Sequence, residues 1–174
     1  MKIAKVLGAC VMVAVTILGC KKQQNVNLSE KMNGADSNFV MLAGPSNYSQ
    51  IETAKVAVSK ASDSLVLVFA QQMLSEYTKA QSDLKVMGTI VGFTVKDTID
   101  AAHNATIAQL DTLTARAFDS AYIHTQISDH QAMINFYSDE LKNGRQINVQ
   151  GYANAILQSI QTDLQTADSI AVAF

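Results

Sequence analysis

The feature that most constrains the fold is a series of apolar side chains that recurs every three or four residues over positions 66–87. Its members are Val66, Phe69, Met73, Tyr77, Ala80, Leu84 and Met87. Residues three and four apart share one face of an α-helix, so the series predicts a long helix with one buried face. Ser62 and Asp63, which are favourable N-cap residues, mark its start.

Four further stretches show helical periodicity. The predicted helices begin near Asp36, Asp63, Asp97 or Thr98, Phe118 and Asn148. Proline lacks a backbone donor and disfavours helix at the residue before it, so the first helix is expected to kink or break at Gly44-Pro45. The fourth is expected to end at Asn143, before Gly144.

These helices predict an all-α protein. Strand-like alternation is confined to residues 89–95, which are too few to form a sheet alone. Amphipathic helices with short connections bury their apolar faces by folding back on one another, which gives an up-and-down bundle of four or five helices. A long coiled coil is the alternative, but breaks at Gly44, Gly88 and Gly144 favour the bundle.

The amino terminus resembles a bacterial lipoprotein signal. Lys2 and Lys5 precede an apolar run at residues 6–18, shorter than the roughly 20 residues of a membrane span. The run ends in Ile17-Leu18-Gly19-Cys20, which is similar to a lipobox, where the cysteine is acylated and the signal is cut before it. We therefore expect a signal peptide at 1–19, lipidated Cys20 with a flexible tether at 20–35, and a helical domain at 36–174. An ordinary signal with an incidental cysteine is the alternative.

Charge and cysteine content limit the possible partners. Loss of Lys2 and Lys5 with the signal leaves 11 basic against 15 acidic residues, a net charge of −4, without the basic cluster that nucleic acid requires. Cys10 also leaves with the signal, so the mature chain cannot form an internal disulfide. Lys21 follows Cys20 where aspartate would favour inner-membrane retention. The expected location is therefore the periplasmic face of the outer membrane, with the lipid as membrane anchor and an unidentified protein as partner.

A series of short motifs resembles one bacterial family, the domain of unknown function 4142. The motifs are Phe39-Val40, residues 57–61, Phe69-Ala70, Thr78-Lys79-Ala80, Leu84, Phe118-Asp119 with Tyr122, and His130. The resemblance implies an exported protein with a ferritin-like helical bundle and implies no reaction. The chain departs from the family pattern in having Tyr77 for a histidine, Gln50 near an expected glutamate, and Ala115 for a glycine before Phe118-Asp119.

His130 is the most conspicuous candidate for a functional residue because it interrupts an apolar face of the fourth helix. Its position predicts that it faces Tyr77 across the bundle as a buried polar pair. One interpretation makes His130 a ligand or proton carrier. The interpretation we favour makes it a core histidine that fixes the register of two helices, since a lone histidine is a poor metal site.

The sequence contains little evidence for metal binding or catalysis. A ferritin-type di-metal site needs Glu-x-x-His on two helices, and this motif is absent. Asp100 and His103 form Asp-x-x-His, a weak alternative half-site in the third helix. We predict no resident metal or cofactor other than the lipid, and no catalytic residues.

Three functions follow as hypotheses. The favoured one is a lipid-anchored, non-enzymatic protein with an interaction or envelope-maintenance role. The alternative is a ferritin-like bundle that binds metal or handles oxidants. A third is a small-molecule carrier with a pocket between helices.

Overall fold

A computed structural model describes residues 30–174, which form five α-helices. These are α1 (Gly34–Lys60), α2 (Ser64–Val91), α3 (Ala101–Asp111), α4 (Ala115–Asn143) and α5 (Ile147–Ala171). No strand occurs within this range, and the all-α fold class is confirmed. The predicted signal peptide, Cys20 and the tether as far as residue 29 lie outside the described residues.

Contacts at the two ends of the bundle define the helix directions. The side-chain amide of Asn33 donates to the carbonyl oxygen of Asn143 at 2.9 Å, which places the start of α1 beside the end of α4. The Asp119 carboxylate accepts the backbone N–H groups of Ser62 and Asp63 at 3.0 Å, so α2 and α4 start at the other end. In the order α1, α2, α5, α4, each long helix is therefore antiparallel to both neighbours.

The connection between α2 and α4 differs from the short connections that the sequence predicted. Residues 61–63 and 144–146 are short links, whereas residues 92–114 return along the whole bundle from the end of α2 to the start of α4. Helix α3 lies on this return path and packs against α1 and α4. Because Leu110 is its one buried residue, α3 covers the bundle rather than contributing a full core face.

Helix α1 continues through Pro45, so the break that the sequence predicted at Gly44 as one alternative does not occur. Gly44 is buried against the return segment, and a Cβ atom there would lie 2.9 Å from Cγ1 of Val95. The carbonyl oxygen of Pro45 also accepts a hydrogen bond from Ser49 Oγ at 2.7 Å. Packing against the return segment thus holds the helix across the missing donor, and Gly44 permits the close approach.

Two helix starts differ from the prediction. Helix α3 begins at Ala101, because the side chain of Asp100 caps it by accepting the N–H of His103. Helix α4 begins at Ala115, whose φ of +49° lies in the left-handed region that favours glycine. Alanine therefore occupies a strained position where the family resemblance leads one to expect glycine.

The apolar series on α2 forms the centre of the core. All its residues, from Val66 to Met87, are buried, and they pack against α1, α4 and α5. The methionines at 73, 87 and 133 are core residues. Among residues 30–174, no helix combines the length and apolar character needed to cross a bilayer.

Candidate functional site

His130 is fully buried at the middle of α4 and lies opposite Tyr77 of α2. Its Nδ1 atom is 2.7 Å from the carbonyl oxygen of Gln126. A carbonyl oxygen can only accept, so Nδ1 carries the proton and Nε2 is left as an acceptor. The hydroxyl of Tyr77 donates to Nε2 at 3.2 Å, so both ring nitrogens have partners within the fold.

Burial determines the charge state of this pair. Desolvation lowers the pKa of His130 to about 4, although the hydrogen bond to Gln126 opposes this shift. Desolvation also raises the pKa of Tyr77 well above its ordinary value. Both groups are therefore neutral at neutral pH, and the 3.9 Å separation between His130 Nε2 and Asp163 Oδ2 is not an ion pair under those conditions.

Asp163 of α5 connects the pair to a surface groove between α2 and α5. The side-chain amide of Gln72 donates to Asp163 Oδ1 at 3.0 Å and to Glu76 Oε1 at 2.9 Å. Burial and the nearby carboxylate of Glu76 raise the pKa of Asp163 to about 7. The groove, of about 220 Å³, is lined by Glu76, Tyr77 and Asp163 among others. Asp163 was not singled out from the sequence, although an acid three residues after Ile160 and four before Ala167 interrupts the apolar face of α5.

These residues do not fit the di-metal site of a ferritin-type bundle. That site takes two glutamates and two Glu-x-x-His pairs from four helices. The groups near His130 are two carboxylates, Glu76 and Asp163, and the lone pair of Nε2 already accepts the Tyr77 hydroxyl. Across the described part of the chain, no three His, Cys, Asp or Glu side chains converge in a metal-binding arrangement.

The weak alternative half-site, Asp100 and His103, lies on a second groove. His103 Nδ1 is 2.7 Å from Asp100 Oδ2, so the two side chains are paired with each other at the start of α3. Together with Gln50 of α1 and Asp129 of α4 they form the polar side of this groove, which has a volume of about 300 Å³. We call it the α1–α4 groove. Its apolar side is formed by Leu42, Pro45, Ala132, Met133 and Phe136.

Other acidic residues at the bundle ends have structural roles. Asp119, expected near a helix start, is buried and accepts the backbone N–H groups of Ser62 and Asp63, so it holds the link before α2, whose N-cap is Asp63 itself. Asp36 accepts the backbone N–H groups of Asn33, Arg145 and Gln146, and these bonds lower its pKa although burial opposes them. His124 is exposed, and its Nδ1 atom lies within hydrogen-bond distance of the Ser120 carbonyl oxygen.

Glu140 lies in the same end of the bundle and was not singled out from the sequence. It is 2 % exposed, and neither carboxyl oxygen has a hydrogen-bond donor among the described residues. Burial and the neighbouring carboxylate of Asp36 raise the pKa of Glu140 to about 8. A Cβ atom at Gly144 would collide with this carboxyl group, so the glycine makes space for it.

A model of one protein family matches residues 21–170, which is most of the chain. That family is described as a domain of unknown function, DUF4142. The chain belongs to the DUF4142 family. Membership agrees with the resemblance seen in the sequence and assigns no reaction to the protein.

One solved structure supports the DUF4142 bundle fold. It is the crystal structure of a DUF305 fragment from Deinococcus radiodurans, with a TM-score of 0.74 and 15% sequence identity. The similarity covers 83% of this chain and 100% of that chain. At this identity it shows the fold alone. No curated protein matches the chain.

Proposed function

We propose that this DUF4142 protein is a non-enzymatic helical bundle that lipid on Cys20 holds to the periplasmic face of the outer membrane, where it binds a partner. The observation that carries the non-enzymatic role is the state of His130. Both its ring nitrogens are engaged inside the fold, by Gln126 and Tyr77. A histidine that is neutral and fully partnered fixes helix register and is poorly suited to proton transfer at neutral pH.

The anchor is supported by the sequence Ile17-Leu18-Gly19-Cys20 after a short apolar run. Several acyl chains on one cysteine give stable attachment because each buried methylene contributes about 0.8 kcal/mol. Lys21, rather than aspartate, follows the cysteine, which favours the outer membrane.

Membrane fractionation of a Cys20→Ala variant tests the anchor. We expect the wild-type protein to sediment with membranes and the variant to appear in the soluble fraction. Cys10→Ala is the matched control, since Cys10 lies in the predicted signal and its loss should leave attachment unchanged. A Cys20→Ala protein that still sediments with outer membranes would disprove the lipid anchor.

A second role, a ferritin-like metal-binding bundle, has one observation in its favour, the approach of Asp163 to within 3.9 Å of His130 beside Glu76, although these residues do not form the di-metal site of a ferritin-type bundle. Elemental analysis of protein purified without added ions, together with an iron-oxidation assay started anaerobically, separates the two roles. Stoichiometric metal with oxygen consumption would support the second role. An unchanged circular dichroism spectrum and melting curve in chelator would support the first.

A further inference from the structure

The α1–α4 groove contains one carboxylate, Asp129, without a matching cation. Asp129 is half-buried, and its partner in the fold is the neutral amide of Gln50, whose Nε2 atom donates to Asp129 Oδ2 at 3.0 Å. The groove lining includes a second acid, Asp100, and no lysine or arginine. His103 is the one residue there that can become positively charged, and it is paired with Asp100. The electrostatic field in the groove therefore favours a bound positive charge.

A separate observation at the same wall indicates a missing hydrogen-bond donor. Gln50 is 1% exposed, and its Oε1 atom has no donor among the described residues. An unpartnered buried amide oxygen costs about 1–3 kcal/mol unless a donor reaches it. Gln126 is similarly buried and unpartnered, but Gln50 differs from it in being part of a groove lining beside a carboxylate, although its Oε1 atom itself is closed to solvent.

The remaining wall suits an apolar body. It includes Leu42, which is 46% exposed, and the ring of Phe136, which stacks on Phe39 with centroids 4.9 Å apart. A volume of about 300 Å³ is at the lower end for ligand pockets, which implies a compact ligand. Ligand pockets typically combine such apolar walls with a few convergent polar groups.

From these observations we infer that the α1–α4 groove binds a small organic cation, a protonated amine attached to a compact apolar body. The ammonium group lies against the carboxylate of Asp129, and it donates to Gln50 Oε1 once the amide of Gln50 turns that buried oxygen towards the groove. The apolar body lies on Leu42 and Phe136. This inference goes beyond the anchored, non-enzymatic role, because it names a ligand class for the bundle.

Calorimetric titration with 2-phenylethylammonium chloride tests the inference on the mature, lipidated protein in neutral detergent, with empty micelles as the blank. We expect a dissociation constant below about 1 mM. The neutral analogue 2-phenylethanol, which has the same apolar body, should bind at least tenfold more weakly. Equal binding of the amine and the alcohol would overturn the assignment of the carboxylate.

Two variants locate the binding. Asp129→Asn keeps an acceptor for Gln50 and removes the charge, so it should weaken amine binding at least tenfold. The control is Asp168→Asn, at an exposed position of α5, which makes the same charge change and should leave binding unchanged. Ala132→Phe adds a ring at an exposed position lining the groove and should abolish binding while the protein stays folded. Wild-type affinity in Asp129→Asn, or in Ala132→Phe, would disprove the groove as the site. Membrane attachment is measured independently, so either proposal can fail without the other.

Discussion

The His130–Tyr77 pair and the α1–α4 groove both include residues of α4, but they differ in hydrogen bonding. The polar atoms of the pair have partners within the fold, whereas those of the groove keep acceptors without a donor. In the pair, the donors and acceptors of two helices match, and the groups are neutral and closed to solvent. In the groove, Asp129 and Gln50 are left with acceptor capacity that no described residue meets. His130, the most conspicuous residue in the sequence, therefore contributes to structure alone. The groups that can bind a ligand belong to Asp129 and Gln50, which are less conspicuous in the sequence.

The substitution His130→Ala tests the structural role of the pair with the largest expected effect. The substitution leaves a cavity and removes the acceptor of the buried Tyr77 hydroxyl, so we expect a loss of about 2–4 kcal/mol in the free energy of unfolding. Urea denaturation followed by circular dichroism measures this loss. Tyr77→Phe, which keeps the ring and removes only the hydroxyl, should cost less, about 1–2 kcal/mol. A change below about 0.5 kcal/mol in His130→Ala would show that the pair does not stabilise the bundle.

Glu140 is an intermediate case. Its carboxyl group is buried, like the His130–Tyr77 pair, but has no hydrogen-bond donor among the described residues, like Gln50 Oε1 in the groove. Its pKa of about 8 lies above the ordinary 4.5, so the folded state keeps a proton that the unfolded chain releases between those values. The stability contributed by this proton is complete below pH 4.5 and is lost as the pH rises towards 8.

Glu140→Gln should therefore remove part of the decline in stability between pH 5 and pH 8. We expect the variant to gain at least about 1 kcal/mol over the wild-type protein across that interval, since one pKa unit corresponds to about 1.4 kcal/mol. Asp163, with its pKa of about 7, contributes a similar decline that the variant retains. Parallel stability–pH curves for the two proteins would contradict the raised pKa of Glu140.

Ala115→Gly gives the smallest effect and acts outside both regions. Glycine adopts the φ of +49° at the start of α4 without strain, although it also makes the unfolded chain more flexible. We expect a net gain of about 0.5–1 kcal/mol, measured as a rise in the melting temperature. The double variant Ala115→Gly/His130→Ala should be more stable than His130→Ala alone, so that binding to the groove can be measured on folded protein. A lower melting temperature would show that the alanine is unstrained.

The sequence predicted most of the helical architecture and little of the groove. Periodicity over positions 66–87, with Asp63 as N-cap, defined α2 because a helix and its buried face are local properties. The break at Gly44-Pro45 was wrong because contact with Val95, distant in the sequence, holds α1 together. Gln50, Asp100 and Asp129 come from three separate segments, and the packing of α1 on α4 together with the path of the return segment brings them to one groove.

The most direct test measures the free energy of unfolding and the affinity for 2-phenylethylammonium on two variants, His130→Ala and Asp129→Asn. We predict that His130→Ala loses stability while its dissociation constant stays within about threefold of the wild-type value. Asp129→Asn should bind at least tenfold more weakly with stability changed by less than about 0.5 kcal/mol. Loss of amine binding in His130→Ala with binding retained in Asp129→Asn would contradict the division of α4 into a structural pair and a binding groove.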